Sequence, residues 1–250
     1  LIAARLPESW VRAFYTGRRE VLGERVLDPK AQAVGRFSRL VRVPGYIPTP
    51  EESRAQTRKI VEAFDEPCPP LARKEDLTVA GGEGDLPARL YCDRRPDDGQ
   101  IPVPVFFHGG GWLQGDLDTH DGPCGKLAKW AGCMVIAVEY RLAPENKFPA
   151  AVEDACAAYK WVRQNAASLG GDPARIGVGG DSAGGNLSAV VSQQMAMNGE
   201  QPPDLQILIY PALDGRMDTQ SMEGLRDAYI SPRGRGDDSR DCYFSSPEGL

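Results

Sequence analysis

A serine within a glycine-rich turn is the first residue of this chain whose setting suggests chemistry. Ser182 stands at the centre of Gly180-Asp181-Ser182-Ala183-Gly184, between the apolar stretch 176–178 and a helical stretch over about 184–197. A G-x-S-x-G pattern at a strand-to-helix turn is typical of a nucleophile elbow, which holds the serine hydroxyl exposed above a sheet. The same pattern also arises in tight turns without chemistry, so Ser182 is a candidate nucleophile that needs further support.

A second glycine cluster supplies that support. His108-Gly109-Gly110-Gly111-Trp112 follows the apolar run 103–107 and comes before the serine in the chain. Consecutive glycines leave backbone N–H groups uncovered, and two of these, with the N–H of Ala183, are suited to bind the oxyanion of an acyl transfer. A flexible loop or a phosphate-binding nest is the alternative interpretation. A P-loop is excluded because no Lys-Ser/Thr pair follows the glycines.

Alternating strand and helix patterns surround both clusters and must position them. A β-hairpin is predicted over 77–92, and later apolar runs at 101–107, 134–139, 175–179 and 205–210 suit strands buried on both faces of a parallel sheet. Helical stretches at about 122–131, 149–168 and 184–197 separate those runs. The alternation predicts an α/β fold with a doubly wound, mostly parallel sheet. We expect a helical cap segment over 1–70, an incomplete core over 71–230 and an irregular tail over 231–250.

Composition limits the classes of protein to which the chain belongs. At 250 residues with 41% hydrophobic and 26% charged residues, it is sufficient for one large globular α/β domain. The net charge of −6 and the absence of a basic stripe argue against a nucleic-acid partner. No apolar run approaches the roughly 18 residues of a membrane span. Six cysteines without C-x-x-C or zinc spacing predict reduced thiols and a cytoplasmic setting.

Additional motifs connect the two glycine clusters. They are Gly115-Asp116, His120-Asp121-Gly122, Tyr140-Arg141-Leu142-Ala143-Pro144-Glu145 and Phe148-Pro149-Ala150-Ala151. With them, the chain resembles the hormone-sensitive-lipase-like (family IV) carboxylesterases, which include the arylacetamide-deacetylase-like enzymes. This resemblance implies an α/β-hydrolase fold with an N-terminal helical cap. It also implies hydrolysis of short- to medium-chain carboxylic esters, a small-molecule substrate, through a serine nucleophile and an acyl-enzyme.

The same resemblance assigns roles within the site. It implies that the N–H groups of Gly110, Gly111 and Ala183 form the oxyanion hole, with Gly109 in the same loop. No metal or organic cofactor is expected, because acyl transfer through a serine needs none. Among aromatic residues, Trp10, Phe14 and Trp112 are candidates to line the acyl pocket, although ordinary packing explains the first two equally well. Nothing in the motifs predicts an oligomeric state.

A base to activate the serine is harder to find. In α/β-hydrolases the catalytic residues follow the order Ser, then Asp or Glu, then His. This chain has two histidines, His108 and His120, and both precede Ser182. Either is a conceivable substitute base, but a structural, hydrogen-bonded role is the stronger interpretation of each.

The carboxylates near the serine give no clear acid partner. Asp214 comes too early in the chain for the acid of the family, and Glu153 and Asp154 fall in a predicted helix where structural contacts are expected. Asp181 adjoins the serine, but its side chain is expected to point away from the substrate, so it is not assigned a catalytic role.

Two hypotheses follow. The first is a C-terminally truncated carboxylesterase of very low activity, since loss of one triad member leaves only about 10³–10⁴-fold catalysis over water. The second is a non-catalytic small-molecule-binding homologue, similar to the plant gibberellin receptors. A sheet without its last strands exposes an edge, which is a liability for a stable receptor, so truncation is favoured.

Overall fold

The computed structural model describes residues 6–41, 46–95, 99–216, 218–224, 229 and 239–245. In chain order the elements are α1 (Glu8–Phe14), β1 (Val21–Leu22), β2 (Arg25–Val26), α2 (Pro29–Val41), α3 (Pro50–Phe64), β3 (Arg73–Ala80), β4 (Asp85–Cys92), β5 (Ile101–Phe107), α4 (Asp121–Ala131), β6 (Val135–Val138), α5 (Ala150–Leu169), β7 (Gly171–Asp181), α6 (Ala183–Met197), β8 (Leu205–Ile209) and α7 (Gln220–Gly224).

The chain divides into two compact units. One comprises Leu1–Ile47 with Met217–Asp237, and the other comprises Pro48–Arg216 with Asp238–Leu250. Helix α3 therefore groups with the larger unit, which contains the sheet. The division of the chain at residues 70 and 230 stays a prediction.

The smaller unit contains a hairpin that the sequence did not indicate. Strands β1 and β2 pair antiparallel, with Val21 opposite Val26 and Leu22 opposite Arg25. Gly23 has a φ of 59°, which permits the tight turn between them. This hairpin interrupts the helical segment predicted over 1–70, and it was missed because two-residue strands are too short to leave an alternating pattern. On α1, Trp10 is 67% exposed.

The larger unit is built on a six-stranded mixed sheet. Its strand order is β3-β4-β6-β5-β7-β8. The pairs β3–β4 and β4–β6 are antiparallel, and β6, β5, β7 and β8 run parallel to one another. This confirms the predicted hairpin and the predicted mostly parallel α/β sheet. Helices α5 and α6 pack with the core on one side of the sheet, and α4 contributes to a second, smaller core cluster.

The order of connections places the two glycine clusters side by side. The chain leaves β5 for β6 on one side and then crosses to β7 on the other side. Phe107 at the end of β5 is in register with Gly180 near the end of β7. Ligands of open α/β sheets bind at such a switch point, beyond the carboxyl ends of the strands. His108 and Ser182 each follow directly after the carboxyl end of a strand, β5 and β7 respectively.

Part of the predicted irregular tail has structure. Residues 231–238 lie outside the described residues, whereas 239–243 form a short helical turn. Within it, Tyr243 is 2% exposed and stacks on Trp112, with ring centroids 4.4 Å apart and planes at 7°. The structure therefore differs from the irregular segment that was predicted. Aromatic packing against residues distant in the chain orders this segment, and the polar local sequence gives no indication of that packing.

Candidate active site

Ser182 lies at a sharp turn between β7 and α6. Its φ of 51° and ψ of −113° fall outside the regions that L-residues favour. The turn is held from both sides, since the Ser182 N–H donates to the Ile209 carbonyl oxygen at 2.8 Å and the Ser182 carbonyl accepts from the Asn186 N–H at 3.0 Å. A strained backbone that its surroundings hold firmly is a common feature of functional sites. The side chain of Ser182 is a candidate nucleophile in this position.

The glycine loop after β5 approaches this turn closely. Gly110 and Gly111 have φ values of 124° and 64°. Within the described part of the chain, no hydrogen bond uses the N–H of either glycine or that of Ala183. Backbone donors kept free beside a serine are suited to stabilise a negatively charged oxygen. The N–H of Gly109, which was predicted together with the oxyanion hole, is instead engaged by Oδ1 of Asp181 at 2.9 Å.

Helix α3 holds the far end of the glycine loop. Nε of Arg54 donates to the Leu113 carbonyl oxygen at 2.7 Å, and its guanidinium also pairs with Glu145 at 2.7 Å. Nearby, the Ser53 hydroxyl lies 2.5 Å from Oε1 of Gln114. Sequence reasoning missed this contribution, because Arg54 lies 59 residues from the carbonyl it contacts and belongs to no motif.

His108 is a buried, neutral imidazole. It stacks on Tyr140 with centroids 4.3 Å apart, and its Nδ1 lies 2.9 Å from the Gly109 carbonyl oxygen. A carbonyl only accepts hydrogen bonds, so Nδ1 carries the proton and Nε2 is left as an acceptor. Burial, assisted by the nearby His120, lowers the pKa of His108 to about 4. These contacts support the structural role expected for His108.

The lowered pKa of His108 predicts a specific acid sensitivity. Between pH about 6.5, the pKa of an unfolded histidine, and about 4, the unfolded chain binds a proton that the folded chain does not. The free energy of unfolding should therefore decrease as the pH is lowered through this window, by about 3 kcal/mol in total. Urea unfolding between pH 4 and 7 checks this. The His108→Asn variant should lose this component, and parallel profiles for the two proteins would contradict the assignment.

His120 is also occupied by neighbours other than the serine. Its Nε2 lies 3.2 Å from Oδ1 of Asp181, and its Nδ1 lies 3.0 Å from the Thr119 hydroxyl. Among the described residues, no hydrogen bond joins Ser182 to His108 or His120. Neither imidazole is therefore placed to accept the serine proton.

The other carboxylates form structural contacts. Asp154 is fully buried and pairs with Arg141 at 2.9 Å, and Glu153 lies 3.6 Å from the same guanidinium. Hydrogen bonds from Arg216 lower the pKa of Asp214 to about 2. The described residues contain no cluster of three metal-ligating side chains. No described helix has the length and apolarity needed to cross a membrane.

Comparison with known proteins agrees with this geometry. Residues 104–249 match the family described as alpha/beta hydrolase fold. The carboxylic ester hydrolase LipN of Mycobacterium tuberculosis is 42% identical over 225 residues, which cover 87% of this chain and 59% of LipN. The carboxylesterase NlhH of the same species is 43% identical over 183 residues, or 73% of this chain and 57% of NlhH. The chain thus spans somewhat over half the length of these relatives.

Solved structures show the same likeness. The hyperthermophilic esterase of Pyrobaculum calidifontis is 35% identical with a TM-score of 0.74, covering 88% of this chain and 70% of the esterase. The ester hydrolase EH1AB1 from the metagenome of Lake Arreo is 34% identical with a TM-score of 0.78, covering 86% of this chain and 69% of that protein.

Proposed function

This chain belongs to the α/β-hydrolase family, in its hormone-sensitive-lipase-like branch, and on that premise we propose that it is a carboxylic ester hydrolase with Ser182 as the nucleophile. The observation that carries the proposal is that the Ser182 turn adjoins a glycine loop in which, among the described residues, no hydrogen bond uses the N–H of Gly110 or Gly111. The relatives named as carboxylic ester hydrolases and esterases support the same reaction class. The proposed substrates are short- to medium-chain carboxylic esters.

The proposed reaction proceeds through an acyl-enzyme. Oγ of Ser182 attacks the ester carbonyl carbon, and the resulting oxyanion accepts hydrogen bonds from the N–H groups of Gly110, Gly111 and Ala183. Collapse of this intermediate breaks the bond to the alcohol oxygen, which takes up the proton lost by the serine hydroxyl and leaves as the alcohol, and the acyl group stays on the serine. Attack by water then releases the carboxylic acid and restores the hydroxyl.

We propose in addition that the 250-residue chain turns over slowly. Serine attack is efficient only when a neighbouring base removes the hydroxyl proton, and no hydrogen bond among the described residues joins Ser182 to His108 or His120. Members of a triad act as a unit, so without the base the serine contributes little to steady-state turnover. Hydrolysis of the acyl-enzyme needs the same base, and the acyl group is therefore expected to accumulate on Ser182.

Accumulation of this adduct tests the proposal. The chain is incubated with p-nitrophenyl butyrate, p-nitrophenol release is followed by absorbance, and the protein is analysed by intact mass and peptide mapping. We expect release of about one equivalent of p-nitrophenol and a butyryl group on the peptide containing Ser182. Ser182→Ala should remove the adduct. Ser168→Ala, at an exposed serine near the end of α5, is the matched control and should retain it.

The other outcomes are equally informative. Rapid multiple turnover that is abolished in Ser182→Ala would refute the proposal of slow turnover but support Ser182 as the nucleophile. An adduct at another residue would refute Ser182. Saturable binding of an ester without adduct or hydrolysis would favour the alternative, a non-catalytic small-molecule-binding homologue.

A further inference from the structure

The carboxylate of Asp181 joins the two halves of the candidate active site. Asp181 is the last residue of β7 and immediately precedes Ser182. Its Oδ1 accepts the N–H of Gly109 at 2.9 Å and lies 3.2 Å from Nε2 of His120. The side chain is only 18% exposed. It thus points away from Ser182 and towards the start of the glycine loop.

This contact requires glycine at position 109. A Cβ on Gly109 would overlap the carboxylate of Asp181 and come within 2.9 Å of its carbonyl oxygen. The close approach of Asp181 therefore explains why residue 109 is glycine. Gly110 and Gly111 instead present their N–H groups to the site. The hydrogen bond fixes the peptide immediately before the donors of Gly110 and Gly111.

The carboxylate is held in its charged form. Burial opposes ionisation, but hydrogen bonds from His120 and from the Gly109 N–H outweigh it and keep the pKa of Asp181 below its usual range. Hydrogen bonds to an ionised acceptor are roughly twice as strong as those between neutral groups. Asp181 is therefore a firm attachment point for the loop at neutral pH.

We infer that Asp181 is a positioning residue, whose carboxylate holds the oxyanion loop in register with Ser182 while His120 orients that carboxylate. Because Asp181 is covalently next to the nucleophile, its bond to Gly109 sets the separation between the serine and the loop donors. A displacement of about 1 Å in a reacting site can cost about 10²-fold in rate. The catalytic consequence rests on the proposed function, but the positioning itself does not.

The sequence provides a direct probe of the hydrogen bond. The chain contains a single His-Gly peptide bond, at His108-Gly109. With carbonyl-¹³C histidine and ¹⁵N glycine, an NMR spectrum that selects directly bonded ¹³C–¹⁵N pairs therefore contains one amide signal, that of Gly109. In the wild-type chain we expect this signal downfield and slow to exchange. In Asp181→Ala it should move upfield and exchange about tenfold faster or more, because its acceptor is lost. Asp181→Asn retains an acceptor oxygen and should restore much of the protection.

The rate of butyryl transfer to Ser182 is the second measurement. At saturating p-nitrophenyl butyrate, Asp181→Ala should slow adduct formation by about 10²-fold, because the donors lose their alignment. The substrate concentration at half-saturation should change little. Asp181→Asn should recover most of the rate. Asp172→Ala is the control, since it removes another carboxylate of β7 that pairs with Arg175 at the surface. It should match the wild type in both measurements.

The two measurements separate the two proposals. A fast-exchanging Gly109 amide in the wild-type chain would overturn the positioning role, even if Asp181→Ala fails to fold. Equal exchange in wild type and Asp181→Ala would overturn it as well. If the wild type forms no adduct but Gly109 loses protection in Asp181→Ala, the proposed function fails while the positioning role stands. If adduct forms equally fast in Asp181→Ala with Gly109 deprotected, the loop does not depend on Asp181 for catalysis.

Discussion

Gly184→Ala should prevent the larger unit from folding correctly or cost it at least about 3 kcal/mol. Gly184 is the second residue of α6, where the turn after β7 passes the end of β5. A Cβ at this position would lie inside the contact distance of the Phe107 carbonyl oxygen and 2.7 Å from that of His108. Both obstacles are backbone atoms, so neither a rotamer change nor a flexible side chain can relieve the overlap.

Urea unfolding followed by circular dichroism measures this effect. Gly84→Ala is the matched control, because Gly84 lies in the β3–β4 turn and a Cβ there meets no atom within 4 Å. That variant should unfold within about 0.5 kcal/mol of the wild type, or slightly later, since alanine restricts the unfolded chain. If Gly184→Ala proved as stable as Gly84→Ala, the close passage of the serine turn past β5 would be disproved.

The same close approach explains why this part of the fold was predictable from sequence. Only glycine tolerates backbone contacts of this kind, so Gly180 and Gly184 mark the turn around Ser182 in the sequence itself. Buried parallel strands similarly leave apolar runs, and β5 was predicted with its observed bounds of Ile101–Phe107. Steric requirements and two-sided burial act locally, and local requirements are visible in a linear pattern.

Contacts between distant parts of the chain have no such signature. Nothing in the sequence around Arg54 indicates that its guanidinium reaches the Leu113 carbonyl. Asp181 was expected to point away from the substrate, but its partner, the Gly109 N–H, is 72 residues distant and could not be identified. Tyr243 falls in a polar stretch, and its stacking on Trp112 depends on where the fold places the two rings. Such pairings follow from topology and not from residue spacing.

Asp154→Ala should lower the free energy of unfolding by about 3–5 kcal/mol. The Asp154 carboxylate is fully buried in α5 and accepts hydrogen bonds from three donors: the Gly82 N–H at 2.8 Å, and the N–H and Nε of Arg141, each at 2.9 Å. Removing it leaves two backbone donors and part of a guanidinium without their acceptor. An unsatisfied buried donor costs about 1–3 kcal/mol, so several together account for a large loss.

Glu153→Ala separates burial from charge pairing at this position. Glu153 is the preceding residue of α5 and lies 3.6 Å from the same Arg141, but its side chain is 49% exposed. Exposed ion pairs contribute about 0–1 kcal/mol, so its removal should cost no more than that in urea unfolding. Arg141 also pairs with the exposed Glu83 at 2.7 Å, which should place the loss in Asp154→Ala nearer the lower end of its range. Equal losses in the Asp154 and Glu153 variants would mean that charge neutralisation of Arg141, and not the buried acceptor for the β3–β4 turn, stabilises this region.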